Sequence, residues 1–240
     1  MTRKNIVLTL VLLAVGWAIF FLQSQKIEQG PRTPKELSIV ARMSAEEKAK
    51  RYDGAKEITT PDGFLNTPST GSGQATPITI GEFIGKKVVL VDFWTYSCIN
   101  CQRTTPYLNA WWEKYKDKGL VIIGVHTPEF EFEKKYENVL AAVKKFGIQY
   151  PVVLDNDFST WNAYGNRYWP RKYLIDIDGY IVYDHIGEGG YGETEMKIQE
   201  ALEERGKVLG IKGSVADGIT EFKSGVDSRG VRSPEIYFGA

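Results

Sequence analysis

Cys98 and Cys101 are the only cysteines in the 240-residue chain, and Ile99 and Asn100 alone stand between them. A bridge closing so small a loop restrains the unfolded chain by only ~2 kcal/mol on the loop-entropy model, so a structural staple is a weak explanation for the pair. Zinc binding is the competing use of a Cys-x-x-Cys. Two thiolates fill half of a tetrahedral shell, no second cysteine pair exists, and the two histidines, His126 and His185, show no ligand spacing. The favoured reading is thiol–disulfide exchange, with no metal. A cysteine at the start of a helix meets unpaired backbone N–H groups and the positive end of the helix dipole, which favour the thiolate that attacks disulfides. Cys98 is therefore expected to be the nucleophile. Cys101, one helical turn later, faces the same way and would resolve the mixed disulfide.

That chemistry needs a strand ahead of the pair and a helix behind it. The run Lys86-Lys87-Val88-Val89-Leu90-Val91-Asp92-Phe93-Trp94 supplies an apolar strand, as expected for one covered on both faces. A helix-length segment follows the cysteines to about Tyr115, and Leu120–Val125 is a second apolar run. Val139, Leu140, Val143 and Phe146 share one face of a helix ending near Gly147. Pro151–Leu154 reads as a short strand, Arg171–Ile175 and Tyr180–Tyr183 as strands of a hairpin turned by Asp178-Gly179, and Glu193–Arg205 as a closing helix. The order implies an α/β sandwich around a mixed sheet.

Arg3 and Lys4 precede an uncharged run, Ile6–Leu22, at the short end of the length needed to cross a bilayer. Residues 1–24 are therefore expected to form a transmembrane anchor, with the positive charges keeping the amino terminus in the cytoplasm and the rest outside. No small-x-small cleavage pattern follows, which favours an anchor over a removed signal. Residues 25–76 read as a linker. It carries capping-box sequences at Thr33-Pro34-Lys35-Glu36 and Ser44-Ala45-Glu46-Glu47, for one or two short helices, and an irregular Pro- and Gly-bearing stretch from Thr59 to Thr79. The catalytic domain is expected at 77–205 and a glycine-rich tail at 206–240. With 30 basic and 30 acidic residues, no net field draws the chain to nucleic acid.

Leu90-Val91-Asp92-Phe93-Trp94-Thr95-Tyr96-Ser97-Cys98-Ile99-Asn100-Cys101 resembles the active-site strand and turn of thioredoxins, with Asp92 six residues before Cys98 and Pro106 five after Cys101. Gly124-Val125-His126-Thr127-Pro128-Glu129-Phe130, Tyr168-Trp169-Pro170, Tyr173-Leu174-Ile175-Asp176 and Gly187-Glu188-Gly189-Gly190-Tyr191 resemble the extracytoplasmic redoxin branch that includes the TlpA-like proteins and the redoxin domain of DipZ proteins. The resemblance implies a thioredoxin-like three-layer sandwich and a thiol:disulfide oxidoreductase with no cofactor beyond the redox-active disulfide Cys98–Cys101. It places Asp92 on the family's buried acid, which takes the Cys101 proton. Pro170 falls on the cis-proline that shapes the substrate groove, and Pro106 on the proline that kinks the active-site helix. The partners implied are exported thiol or disulfide proteins and, for reduction, a membrane electron donor of the CcdA type.

Ser97 stands where thioredoxins carry tryptophan, and Ile-Asn replaces Gly-Pro between the cysteines, so no reduction potential carries over. Trp94 and Trp169 are candidates for an aromatic substrate surface. His126 reads as a strand-end side chain, Glu129 as a loop carboxylate or second acid, and Glu129–Lys135 as a solvated helix start. Two other readings are open: a copper(I)-handling thiol pair for cofactor assembly, and a thiol peroxidase, which the lack of a proline-led loop before Cys98 disfavours.

Overall fold

The computed structural model describes residues 43–68 and 76–211, together with positions 17, 213, 215 and 218–220. The elements run α1 (Ala45–Arg51), β1 (Gly63–Leu65), β2 (Val88–Trp94), α2 (Ile99–Tyr115), β3 (Leu120–His126), α3 (Tyr136–Lys145), β4 (Val152–Leu154), α4 (Ser159–Ala163), β5 (Arg171–Ile175), β6 (Ile181–Ile186) and α5 (Tyr191–Leu209). They form one six-stranded sheet in the order β1-β4-β3-β2-β5-β6. β2 pairs in parallel with β3 and β3 with β4, while β5, β6 and β1 join antiparallel. The sheet is thus mixed, with β2 near its centre.

The unbroken apolar runs explain why β2 and β3 are central. All seven residues of each are buried, since a strand covered on both faces has no position left for a solvent-facing polar side chain. Alternation then sorts them. Val88, Leu90 and Trp94 pack with Leu108 and Trp111 of α2, Val139 and Val143 of α3, and Ile198 and Leu202 of α5. Val89, Val91 and Phe93 face the other way, onto Trp161 of α4 and onto Phe64, Ile78 and Ile80. Each such aliphatic or aromatic side chain contributes roughly 1.5–3 kcal/mol by leaving water.

Two elements were not expected. β1 lies within the stretch read as irregular; only three residues long, it pairs with β4 some ninety positions later (Gly63↔Leu154). α4 follows Asp155, which accepts hydrogen bonds from the Thr160 and Trp161 N–H groups at 2.9 and 3.0 Å and so satisfies the start of this short helix. The Ser44 capping box forms as its sequence indicates, with Glu47 N–H donating to Ser44 Oγ at 3.2 Å and Ser44 N–H to the Glu47 carboxylate at 2.7 Å. The Thr33–Glu36 box lies outside the described residues. So does the expected membrane anchor at 1–24, apart from Trp17; among the described residues no helix is long and apolar enough to cross a membrane.

Candidate active site

Cys98 is the N-cap residue of α2. Its extended backbone (φ −66°, ψ 116°) lets Sγ turn back and accept the Cys101 N–H at 3.3 Å. The helix begins here because β2 ends at Trp94 and the short turn Thr95–Ser97 redirects the chain, tied down where Gln102 Nε2 donates to the Tyr96 carbonyl at 2.9 Å. Cys98 is half-buried, Cys101 is 2% exposed, and neither is in a disulfide. A hydrogen bond from the Cys101 thiol is the largest pull on Cys98; burial opposes it, and the N–H groups of Cys101 and Asn100 add to it, bringing the Cys98 thiol down to about 7. Burial, then the hydrogen bond to Cys98 and its charge, push Cys101 far up. One sulfur is therefore a ready thiolate and the other a held thiol.

Behind them lies a row of residues set by strand register. Asp92 pairs with Gly124 of β3 on one side and Lys172 of β5 on the other. All three share the sheet face that packs against α2. Asp92 is 2% exposed and its Oδ1 has no hydrogen-bond partner; burial raises its carboxyl to about 7 against the pull of Lys172. Lys172 is fully buried and lowered by that burial, with the charges of Asp92 and Cys101 resisting; its Nζ donates to the Gly187 carbonyl at 3.4 Å. Gly124 leaves room for the side chains above it: a Cβ there would sit 2.9 Å from Trp94 Nε1 and 3.2 Å from the Tyr150 ring.

Trp94 therefore does not line a substrate surface. It is 2% exposed, packed in the core with Cys101 and edge-on to His126 at 5.2 Å, because its even position in β2 turns it inward under α2. Trp169 is half-buried, its Nε1 donating to the Thr127 carbonyl at 3.1 Å and its ring 4.2 Å from Trp161. The Trp169–Pro170 peptide is cis. β5 starts at the next residue, and Arg171 pairs with Phe93, so Pro170 stands at the end of the sheet where Cys98 opens α2. Pro106 lies inside α2, where it has no N–H to give the Gln102 carbonyl.

The charged run after β3 is not uniformly solvated. Glu129 is exposed, and its charge opposes the Cys98 thiolate. Glu133 is fully buried. Its Oε1 accepts Ser97 Oγ at 2.6 Å and Ser97 N–H at 3.3 Å, and its Oε2 accepts the N–H groups of Glu129 and Phe130 at 2.6 and 2.9 Å. Burial works against its charge, but the bonds from Ser97, Thr95, Phe130 and Glu129 prevail and hold the carboxyl below its usual range. His126, beside this carboxylate, is buried and pushed down to about 4, so it stands neutral at neutral pH, with Nε2 3.4 Å from Thr95 Oγ1. Lys172 and Glu133 are the site residues that sequence reasoning missed. A lysine inside an apolar strand was the available signal for the first; nothing local marks the second.

The Redoxin family model matches residues 59–202. The chain is 39% identical over 226 residues to Protein DipZ of Mycobacterium tuberculosis (strain CDC 1551 / Oshkosh), a match covering 90% of this chain and 31% of that protein. It thus spans about a third of the length of the DipZ relatives. It is 34% identical over 126 residues to the thiol-disulfide oxidoreductase ResA of Halalkalibacterium halodurans, covering 52% of this chain and 66% of ResA. Among solved structures, a thiol-disulfide isomerase from Corynebacterium glutamicum superposes with a TM-score of 0.54 over 64% of this chain and 97% of its own, at 19% identity, a likeness of fold alone. With the mixed sheet, the Cys-x-x-Cys at the head of α2 and these relatives together, the chain belongs to the Redoxin family, in its TlpA-like branch with a thioredoxin-like fold.

Proposed function

We propose that the chain is a thiol-disulfide oxidoreductase that exchanges disulfides with protein substrates through Cys98 and Cys101. The observation that carries this reading is the asymmetry of the pair. A half-exposed sulfur poised near neutral pH sits at a helix mouth, and a buried thiol one turn behind it donates its backbone N–H to that sulfur.

In the reductive direction the Cys98 thiolate attacks one sulfur of a substrate disulfide. A Cys98–substrate bond forms, the substrate S–S bond breaks, and one substrate sulfur leaves as a thiolate that takes up a proton. Asp92, buried beneath the pair and titrating near neutrality, then accepts the Cys101 proton. The Cys101 sulfur attacks Cys98, forming the Cys98–Cys101 disulfide and expelling the second substrate thiolate, which is protonated in turn. Two electrons pass to the substrate; of the two protons its thiolates take up, one matches the proton released by Cys101 and the other comes from solvent. Oxidation of a substrate dithiol is the same path reversed. Pro170 and Trp169, at the Cys98 end of the sheet, form the wall along which the substrate chain lies.

Arg3 and Lys4 ahead of the Ile6–Leu22 run support a single-pass anchor in the cytoplasmic membrane with this domain outside, which makes exported proteins the substrates. Such a reductant draws its electrons across the membrane, so a donor of the CcdA type is the implied partner. The test is insulin reduction and scrambled-ribonuclease refolding with the wild type, Cys98→Ser and Cys101→Ser. Cys98→Ser is expected to be inert in both assays, and Cys101→Ser to accumulate mixed disulfides with substrate. Exchange that survives Cys98→Ser would overturn the assignment.

A further inference from the structure

The loop that presents Cys98 is short, and Tyr96 packs it against the core, stacked on His126 at 5.6 Å. Ser97 is exposed and Tyr96 half-buried, with no strand hydrogen bonds beyond Trp94. Gln102 ties down the Tyr96 carbonyl, and Ser97 itself is held by a carboxylate from another part of the chain, thirty-six residues away. Glu133 sits in the 3-10 turn Glu131–Lys134 and uses one oxygen on Ser97 and the other on the N–H groups of Glu129 and Phe130. Tyr96 adds a second tie, its hydroxyl donating to the Phe132 carbonyl at 3.2 Å. The aromatic side chains of that loop, Phe130 and Phe132, are each 49% exposed and stacked at 5.4 Å.

We infer that Glu133 is a positioning residue for the nucleophile: its buried carboxylate clamps Ser97 to the Glu129–Phe132 loop and so holds Cys98 at the mouth of α2. The inference rests on Cys98 being the attacking sulfur. Its logic is geometric. The N–H groups that stabilise a Cys98 thiolate belong to Asn100 and Cys101, inside α2, and they act only while the preceding residue keeps the sulfur in its cap position. A buried carboxylate with four hydrogen bonds is costly to displace, because each donor it gives up leaves its own charge buried and less satisfied. A negative charge near Cys98 would by itself disfavour the thiolate, so Glu133 serves the sulfur through its bonds and against its field.

The opposition of those two effects makes the test decisive. Iodoacetamide alkylation of Cys98, followed by mass spectrometry across pH, gives the titration midpoint and the plateau rate for the wild type, Ser97→Ala, Glu133→Gln and Glu129→Gln. Ser97→Ala removes one donor and keeps the charge. Glu133→Gln keeps the size but turns an amide N–H₂ toward backbone N–H groups or toward Ser97. Both are expected to raise the midpoint by about one unit, which cuts the thiolate fraction and the alkylation rate at pH 7 roughly fivefold while leaving the high-pH plateau unchanged. Glu129→Gln, at an exposed carboxylate that only repels the thiolate, is expected to shift the midpoint the other way. A wild-type midpoint in either folded variant, or a lowered one in Glu133→Gln, overturns the clamp. If Glu133→Gln fails to fold, Ser97→Ala decides alone. A wild-type Cys98 that titrates as an ordinary thiol would instead sink the nucleophile assignment on which the clamp rests.

Discussion

Asp92 and Lys172 are direct partners across the antiparallel β2–β5 ladder, 2% and 0% exposed, on the sheet face that packs against α2, the helix that carries Cys101. Burial penalises both charges, so the acid is raised and the base lowered while each pulls the other back. Replacing Lys172 by methionine, similar in volume, removes its pull on Asp92 and on Cys101. Asp92 then titrates higher and is more fully protonated at neutral pH, where it must accept the Cys101 proton. The expected result for Lys172→Met is slower resolution of a trapped mixed disulfide at pH 7, by roughly fivefold for a one-unit rise of Asp92 from about 7. The lost rate should return at higher pH, and Cys98 alkylation should change less. Stopped-flow measurement of the resolution step against pH checks this; an unmoved profile removes Lys172 from the proton path.

The Asp92 shift also sets a stability slope. Its folded value is about 7 against an ordinary 3.8, so between those limits the folded protein binds a proton that the unfolded chain has released. Stability from this group is fully present below about pH 4 and is lost as pH rises towards 7. Asp92→Asn is therefore expected to be more stable than the wild type at pH 8, by up to about 4 kcal/mol, and no more stable at pH 4. Urea denaturation at the two pH values measures it. A wild type that loses no stability relative to Asp92→Asn across that window would mean the carboxyl is not buried as described.

What the sequence made legible was whatever leaves a continuous local trace. Val88–Trp94 and Leu120–His126 stood out because strands covered on both faces carry unbroken apolar runs, and the Cys98–Cys101 pair because its spacing allows few chemistries. Glu133 could not be singled out from Glu129, Glu131 and Lys134: what distinguishes it is its bond to Ser97, a contact between separate segments that no periodicity records. β1 escaped for a similar reason, being three residues whose strand partner, among the described residues, is the distant β4. Trp94 was misplaced because an aromatic four residues before a reactive cysteine is as compatible with a surface as with a core. The parity of its position in β2 decided the matter.

Gly124 has a testable role in that core. It sits beside Asp92 in the ladder, and the absence of a side chain lets Trp94 and Tyr150 close over the acid. Gly124→Ala would place a methyl 2.9 Å from Trp94 Nε1 and 3.2 Å from the Tyr150 ring, closer than such contacts tolerate. Overpacking of this kind costs about 1–3 kcal/mol. Thermal unfolding should show that loss, and a displaced Trp94 should report it in near-ultraviolet dichroism. Full stability in Gly124→Ala would show that the two aromatic rings are not fixed against this strand.

A second buried cluster should separate stability from chemistry. Lys48 of α1 is 3% exposed, and its Nζ lies 2.5 Å from Asp176, 2.7 Å from Asp178 and 2.7 Å from Glu204 of α5. Burial alone would lower the lysine, but the three carboxylates outweigh it and raise it, so the cation is firmly held. Asp176, 1% exposed, follows β5 directly, and Ile175 pairs with Val89 at the start of β2, so the cluster lies at the end of the sheet opposite Cys98. Lys48→Met strands a buried carboxylate and is expected to cost about 3 kcal/mol in urea denaturation. Adding Asp176→Asn removes the stranded charge while keeping an oxygen for the Asp178 and Tyr180 N–H groups, and should restore part of the loss. The alkylation rate of Cys98 should stay at the wild-type value in both folded variants, since the cluster lies at the opposite end of the sheet from Cys98. A changed Cys98 rate in folded Lys48→Met would show that α1 couples to the thiols through the sheet.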